Sequence, residues 1–230
     1  MSTRPSVWAP IPERVELFTA GRRHPMELDG RGWRTAAISL PGATDYGFVL
    51  DGGHPIPGPR TAWQPDGVNG LSRTLPEAPF AWTDAAFNAR TLADAVIYEL
   101  HVGTFTPDGT FDAAIERLAE LAEPGITHVE LMPIAEFSGD RGWGYDGVHL
   151  FAPHHAHGGP EGLRRLVNAA HGAGLSVLLD VVYNHLGPEG NHLREYGPYF
   201  TDRYSTPWGD AVNYDDAVSP VILRPSSHRR

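Results

Sequence analysis

The chain has 230 residues, 41% of them hydrophobic, with 18 basic and 28 acidic side chains, a formal net charge of −10 and no cysteine. That length allows one large domain or two ordinary ones, each able to bury a core. The acidic balance argues against nucleic acid as a partner, since phosphate binding needs clustered Lys and Arg, and the absence of cysteine excludes disulfides and thiolate zinc sites.

Residues 1–13 lack the apolar stretch of a signal peptide. No run of about 18 apolar residues offers a membrane span, so no membrane partner is expected and the cytoplasm is the expected location. From there to about Pro79, short apolar runs alternate with turns. Residues 15–18, 36–40 and 46–50 read as strands, the last two stopped by Pro41-Gly42 and by Asp51-Gly52-Gly53. Strands at this spacing predict a small β-sandwich over 1–86. Residues 55–65 carry too many prolines for a central strand or a helix and predict an ordered loop.

The pattern changes near Phe87. Residues 95–100 form an apolar run of strand length. Phe111, Ile115, Leu118, Ala119 and Ala122 then recur at helical spacing, with Thr110 placed to cap the start and Pro124-Gly125 to end it. A second strand is expected at 128–133. Leu163, Leu166, Val167 and Ala170 mark a second helix ended by Gly172 and Gly174, and a third strand follows at 175–182. Alternating strands and helices predict a parallel sheet. A doubly wound nucleotide-binding sheet would carry a glycine-rich turn after its first strand. Residues 102–107 read Val-Gly-Thr-Phe-Thr-Pro instead, which leaves the (β/α)8 barrel, with its functional loops after the strands.

Asp180, Asn184 and His185 lie toward the end of the third strand. A carboxylate in an apolar strand is unfavourable unless it is paired or used. The bland alternative is that Asp180 or Asn184 caps the following loop. Trp143 and Tyr145 sit among three glycines at 142–147, where aromatic faces could stack on sugar rings or simply plug the barrel mouth. His154, His155 and His157 resemble a metal tract but have no thiolates nearby, so a solvated loop near the sugar site is expected. Glu99 and Glu130 lie inside strands and are weak candidates for a general acid.

The segment Asp180-Val181-Val182-Tyr183-Asn184-His185 resembles the first signature region of the α-amylase superfamily, glycoside hydrolase family 13. Trp143-Gly144-Tyr145 is similar to that family's loop with a sugar-stacking tyrosine, and 96–103 to its first barrel strand. Residues 64–70, 180–191 and 206–214 resemble the malto-oligosyltrehalose trehalohydrolase branch in particular. The resemblance implies a multi-domain chain: an immunoglobulin-like β-sandwich of the carbohydrate-binding module 48 type (1–86), then the first three βα units of a TIM barrel (87–216).

It also implies a retaining hydrolase that releases trehalose from maltooligosyl trehalose, with maltodextrin as a related ligand. Tyr145 would stack on a glucose, His185 would hydrogen-bond it, and Asp180 would orient its neighbours, with Asn184 and Trp143 in the same substrate-binding set. Some amylases use the position of Asn184 for calcium, but the trehalohydrolase branch implies neither metal nor cofactor. The nucleophilic Asp and the acid Glu belong after a fourth and a fifth strand. They are expected beyond the end of this chain, since a barrel takes about 250 residues. Residues 217–230, with Pro220, Pro225 and a basic ending, read as an anomalous tail. The competing expectations are a glucan-binding piece without catalysis and a piece of a glycogen branching or debranching enzyme.

Overall fold

The computed structural model describes residues 3–215. The expected tail at 217–230 lies outside the described residues. Seven antiparallel strands come first: β1 (Ser6–Trp8), β2 (Val15–Thr19), β3 (Arg22–Leu28), β4 (Trp33–Ala36), β5 (Asp45–Leu50), β6 (Pro55–Ile56) and β7 (Ser72–Arg73). They form one hydrogen-bonded path, β1-β4-β3-β2-β5-β6, with β7 also on β5. The sheet curls at β3, where residues 22–25 pair with β2 and residues 26–28 pair with β4.

Alternation explains β2: Val15, Leu17 and Thr19 point inward while Glu16 and Phe18 are half-buried. A strand has period two, so one face is covered and the other is not. The run expected at 36–40 is a strand only at its first residue. Beyond it, Leu40 makes a lone bridge to Thr3. The real strand, Trp33–Ala36, is disguised by Arg34, which is buried with its guanidinium donating to the carbonyls of Pro12 and Glu13 at 2.7 and 3.2 Å. The proline-rich loop expected at 55–65 contributes the two-residue strand β6.

The second half begins with β8 (Ile97–Leu100) and α1 (Val102–Phe105). The helix expected at 111–122 is divided into α2 (Phe111–Ile115) and α3 (Leu118–Ala122). Arg117 donates to Ala114 and Glu120 to Arg117, both three-residue steps, so the α-helical ladder is interrupted there. Thr110 caps α2 as expected, its hydroxyl accepting from the Ala113 amide at 3.2 Å. Then follow β9 (His128–Leu131), β10 (Ala135–Glu136), β11 (His149–Pro153), α4 (Gly159–Gly172) and β12 (Ser176–Leu179). The chain continues through α5 (Leu193–Tyr196) and a hairpin of β13 (Phe200–Thr206) and β14 (Gly209–Val212).

Strands β8, β9 and β12 form the expected parallel sheet in the order β12-β9-β8. Leu100, Val129 and Leu131 pack with Phe111, Leu118 and Leu166 of the helices. Register neighbours Glu99 and Glu130 fall on alternate positions, and so on the opposite face. The third strand is shorter than expected and ends at Leu179, so Asp180 stands just past it rather than within it.

Residues 186–212 return to the first sheet. Leu186, Leu193, Tyr196, Tyr199 and Val212 share a core with Trp8, Leu17 and Phe48. Tyr196 meets Phe48 edge to face and donates its hydroxyl to the Pro57 carbonyl. Tyr199 does the same with the Trp8 ring and carbonyl. Burying a phenol is tolerable here because each hydroxyl keeps a partner.

Candidate functional site

The loops after the parallel strands converge at one end of the three-stranded sheet. The loop between β10 and β11 carries Trp143 and Tyr145. Its path depends on Gly144, which has φ +84° and lies so close to the Pro133 carbonyl that any side chain would collide with it. His101, just after β8, anchors the same loop through a 2.7 Å hydrogen bond from Nε2 to the Gly142 carbonyl. A single histidine after a strand gives no sequence signal for this role, and sequence reasoning did not single it out.

The geometry joins three of the expected residues. Tyr145 donates its hydroxyl to Asp180 Oδ2 at 2.8 Å. His185 Nε2 donates to the Tyr145 carbonyl at 2.9 Å, which leaves Nδ1 as a buried acceptor without a protein partner. The Asp180 carboxylate, by holding the phenolic hydrogen, raises the Tyr145 pKa above its ordinary value. Glu99 and Glu130, on the sheet face below, push it the same way. Asp180 is placed by its own amide, which extends the parallel ladder with a 2.8 Å bond to the Leu131 carbonyl. Gly187 donates to Gly147 and closes the two loops on each other.

The remaining residues are arranged around this knot. The Trp208 ring meets His185 edge to face at 5.5 Å. Tyr214 donates its hydroxyl to the Tyr183 carbonyl. Asn184 is exposed, and its carbonyl accepts from the Val212 amide. Trp143 is 73% exposed and does not join the Tyr145 knot. It lines a cleft of about 750 Å³ with His101, Met132, Asp108 and Arg141. Asp180 and Tyr183 instead line a smaller, mostly apolar cavity of about 150 Å³ with Leu150 and Leu179.

The histidine tract departs from expectation. His154 and His157 are buried, 0% and 3% exposed, so this is no solvated loop. His157 donates Nδ1 to the Gly109 carbonyl at 3.2 Å, and burial pushes its pKa down to about 4. The 64–70 stretch proves to be a turn organised from within: buried Gln64 donates to the carbonyls of Gly67 and Gly70. The Val68 carbonyl in that turn accepts from His149 on β11.

The family model for the α-amylase catalytic domain matches residues 72–207. A malto-oligosyltrehalose trehalohydrolase from Rhizobium sp. (strain M-11) is 50% identical over 94% of this chain and 38% of its own length. Another from Saccharolobus solfataricus is 46% identical over 95% of this chain and 39% of its own. A crystal structure from Salmonella typhimurium, described as an alpha amylase, superposes with a TM-score of 0.87 at 46% identity. It covers 92% of this chain and 37% of that one. The chain thus spans less than half the length of these relatives.

Proposed function

The chain belongs to the α-amylase family, and from that premise we propose that it forms the sugar-gripping part of a glycoside hydrolase that releases trehalose from maltooligosyl trehalose. The observation that carries this reading is the Tyr145–Asp180–His185 arrangement at the C-terminal ends of parallel strands, the end where barrel enzymes keep their sites. The two trehalohydrolase relatives support the choice of substrate.

On this reading the Tyr145 ring stacks on the apolar face of a glucose, and Asp180 fixes its tilt through the hydroxyl. His185, held beside that ring by its Nε2 bond to the Tyr145 carbonyl, hydrogen-bonds the same glucose. Trp143 offers a second apolar platform at the larger cleft, and the exposed Asn184 belongs to the same proposed substrate-binding set. Retaining hydrolysis needs a nucleophile and an acid about 5–5.5 Å apart. The resemblance assigns these to loops after a fourth and a fifth strand, whereas the described residues hold three parallel strands. The 230-residue chain by itself therefore holds the glucan without cutting it.

The division proposed for the chain is an immunoglobulin-like β-sandwich of the carbohydrate-binding module 48 type over 1–86 and the first three βα units of a TIM barrel over 87–216, and the curled antiparallel sheet and the three parallel strands support it. Among the described residues no helix is long and apolar enough to cross a membrane, and a cytoplasmic location is part of the proposed reading.

Titration calorimetry with maltooligosyl trehalose tests the reading. Saturable binding is expected, weakened about tenfold by Tyr145→Ala through loss of the stacking surface. The product mixture after long incubation is expected to contain no free trehalose. Absence of binding, or equal binding by Tyr145→Ala, would sink the assignment.

A further inference from the structure

Beside the sugar-facing loops lies a separate cluster of Glu136 on β10 with His154 and His155 at the end of β11. We propose that these three side chains bind a borderline divalent transition metal of the Zn²⁺ class. One ligand atom from each lies within 4.8 Å of the others. His155 Nδ1 is 2.7 Å from Glu136 Oε1, and His154 Nδ1 is 3.3 Å from Glu136 Oε2.

Two features of burial point to a cation. The Glu136 side chain is 0% exposed, and the ion-pair partners facing its carboxylate are both histidines, neutral unless protonated. Among the described residues no Lys or Arg lies within ion-pair distance of this carboxylate, which is met by the two imidazoles and the His155 amide alone, so no fixed positive charge offsets its burial. His154 is also 0% exposed, and neither of its ring nitrogens has a hydrogen-bond partner. It is held with its ring stacked on Phe137 at 3.8 Å and its Nδ1 beside the carboxylate. A cation between the two would neutralise Glu136 and occupy the idle lone pair of His154.

The donor chemistry selects the metal. Two imidazole nitrogens and one carboxylate oxygen suit Zn²⁺ and its neighbours, whereas Ca²⁺ and Mg²⁺ require sets of oxygen ligands. The ligands are positioned before any ion arrives. The His154 amide donates to the Ile134 carbonyl at 2.8 Å, and the His155 amide to Glu136 Oε2 at 2.7 Å. The His155 side chain is 29% exposed, which leaves a face for water as a fourth ligand. The site is not the Asn184 position. Its effect would be to tie β10 to the end of β11, and so to clamp both ends of the loop that carries Trp143 and Tyr145.

The test uses the whole 230-residue chain, freed of metal with a chelator and titrated with Zn²⁺ in competition with a chromophoric chelator. One equivalent per chain is expected to bind. His155→Gln and Glu136→Gln should each weaken it by at least about tenfold, since even losing an outer partner of a ligand costs that much. His171→Gln, at a histidine paired with Asp84, serves as the control and should leave it unchanged. Circular dichroism checks the fold of each variant. If Glu136→Gln does not fold, the partly exposed His155→Gln decides alone. Failure to compete with the chelator overturns the proposal, as does binding that survives His155→Gln or falls equally in His171→Gln.

Discussion

At the scale of single residues, the two buried tyrosines of the first core have the clearest consequence. Burial raises the pKa of Tyr196 and Tyr199 well above the ordinary phenol value of 10. In the unfolded chain both ionise near 10. The folded state therefore binds more protons than the unfolded state above that pH, and stability falls as pH rises. Below 10 both states are neutral and the two groups add no slope. Thermal unfolding followed from pH 8 to 11 should show this alkaline loss, with tyrosinate absorbance appearing together with unfolding. Tyr199→Phe should be about 1 kcal/mol less stable at pH 8, having lost its bond to the Trp8 carbonyl, yet show a shallower alkaline limb. An unchanged limb would mean that Tyr199 ionises in the folded state. The sequence did not flag either tyrosine, because nothing local in 193–199 says that this segment crosses back to residues 8 and 57. Asp180, His185 and Tyr145 were legible because their motifs are local; the bonds among them were not, since they join positions 35 and 40 residues apart.

At the scale of elements, legibility depended on whether a boundary has its own chemistry. Helix α4 ends where Gly172 and Gly174 suggested. Gly174 has φ +78°, its amide bonds to the His171 carbonyl, and the Leu175 amide bonds to the Ala170 carbonyl. This is a Schellman arrangement, which wants glycine at its left-handed position. A Cβ on Gly174 would touch nothing within 4 Å. Gly174→Ala should thus cost only the backbone strain, about 1–2 kcal/mol in denaturant unfolding. A neutral result would show that this helix end shifts freely. The β2–β3 hairpin illustrates the opposite case. Its two-residue turn is Ala20-Gly21, with φ +47° and +73°, the geometry of a type I′ turn that favours Asn-Gly. Alanine in the first place hid the turn from sequence reading. Ala20→Asn should stabilise the chain by about 0.5–1 kcal/mol by relieving the left-handed alanine. A destabilised variant would contradict the turn assignment. The buried Arg34 hid β4 in the same way, by breaking the apolar pattern that marks strands.

At the scale of the whole molecule, two cores of unlike completeness stand side by side. The first is the better covered: β2 lies between β3 and β5, and the returning segment 186–212 packs with the sheet in one core, although β1 and β6 are its edges. The second is a three-stranded parallel sheet with helices on one face. Its outer strands β8 and β12 each pair only with β9 among the described residues. Val96, Ile97, Tyr98, Leu179, Val181 and Tyr183 remain exposed along them. Parallel strands are normally covered on both faces, and open edges with exposed apolar side chains weaken pairing and invite association. Local stability should follow this division. Amide exchange read by mass spectrometry should find β2 and β5 slow and β8 and β12 fast. The informative segment is 193–199, which follows the parallel sheet in the chain but packs with the first core. If packing governs, it exchanges slowly with β2, and Tyr196→Phe, which removes the bond to Pro57, speeds both together. If 193–199 exchanges instead with β12, the Tyr196 and Tyr199 contacts do not bind it to the first core. Uniform protection across both sheets would refute the unequal stability argued from their edges.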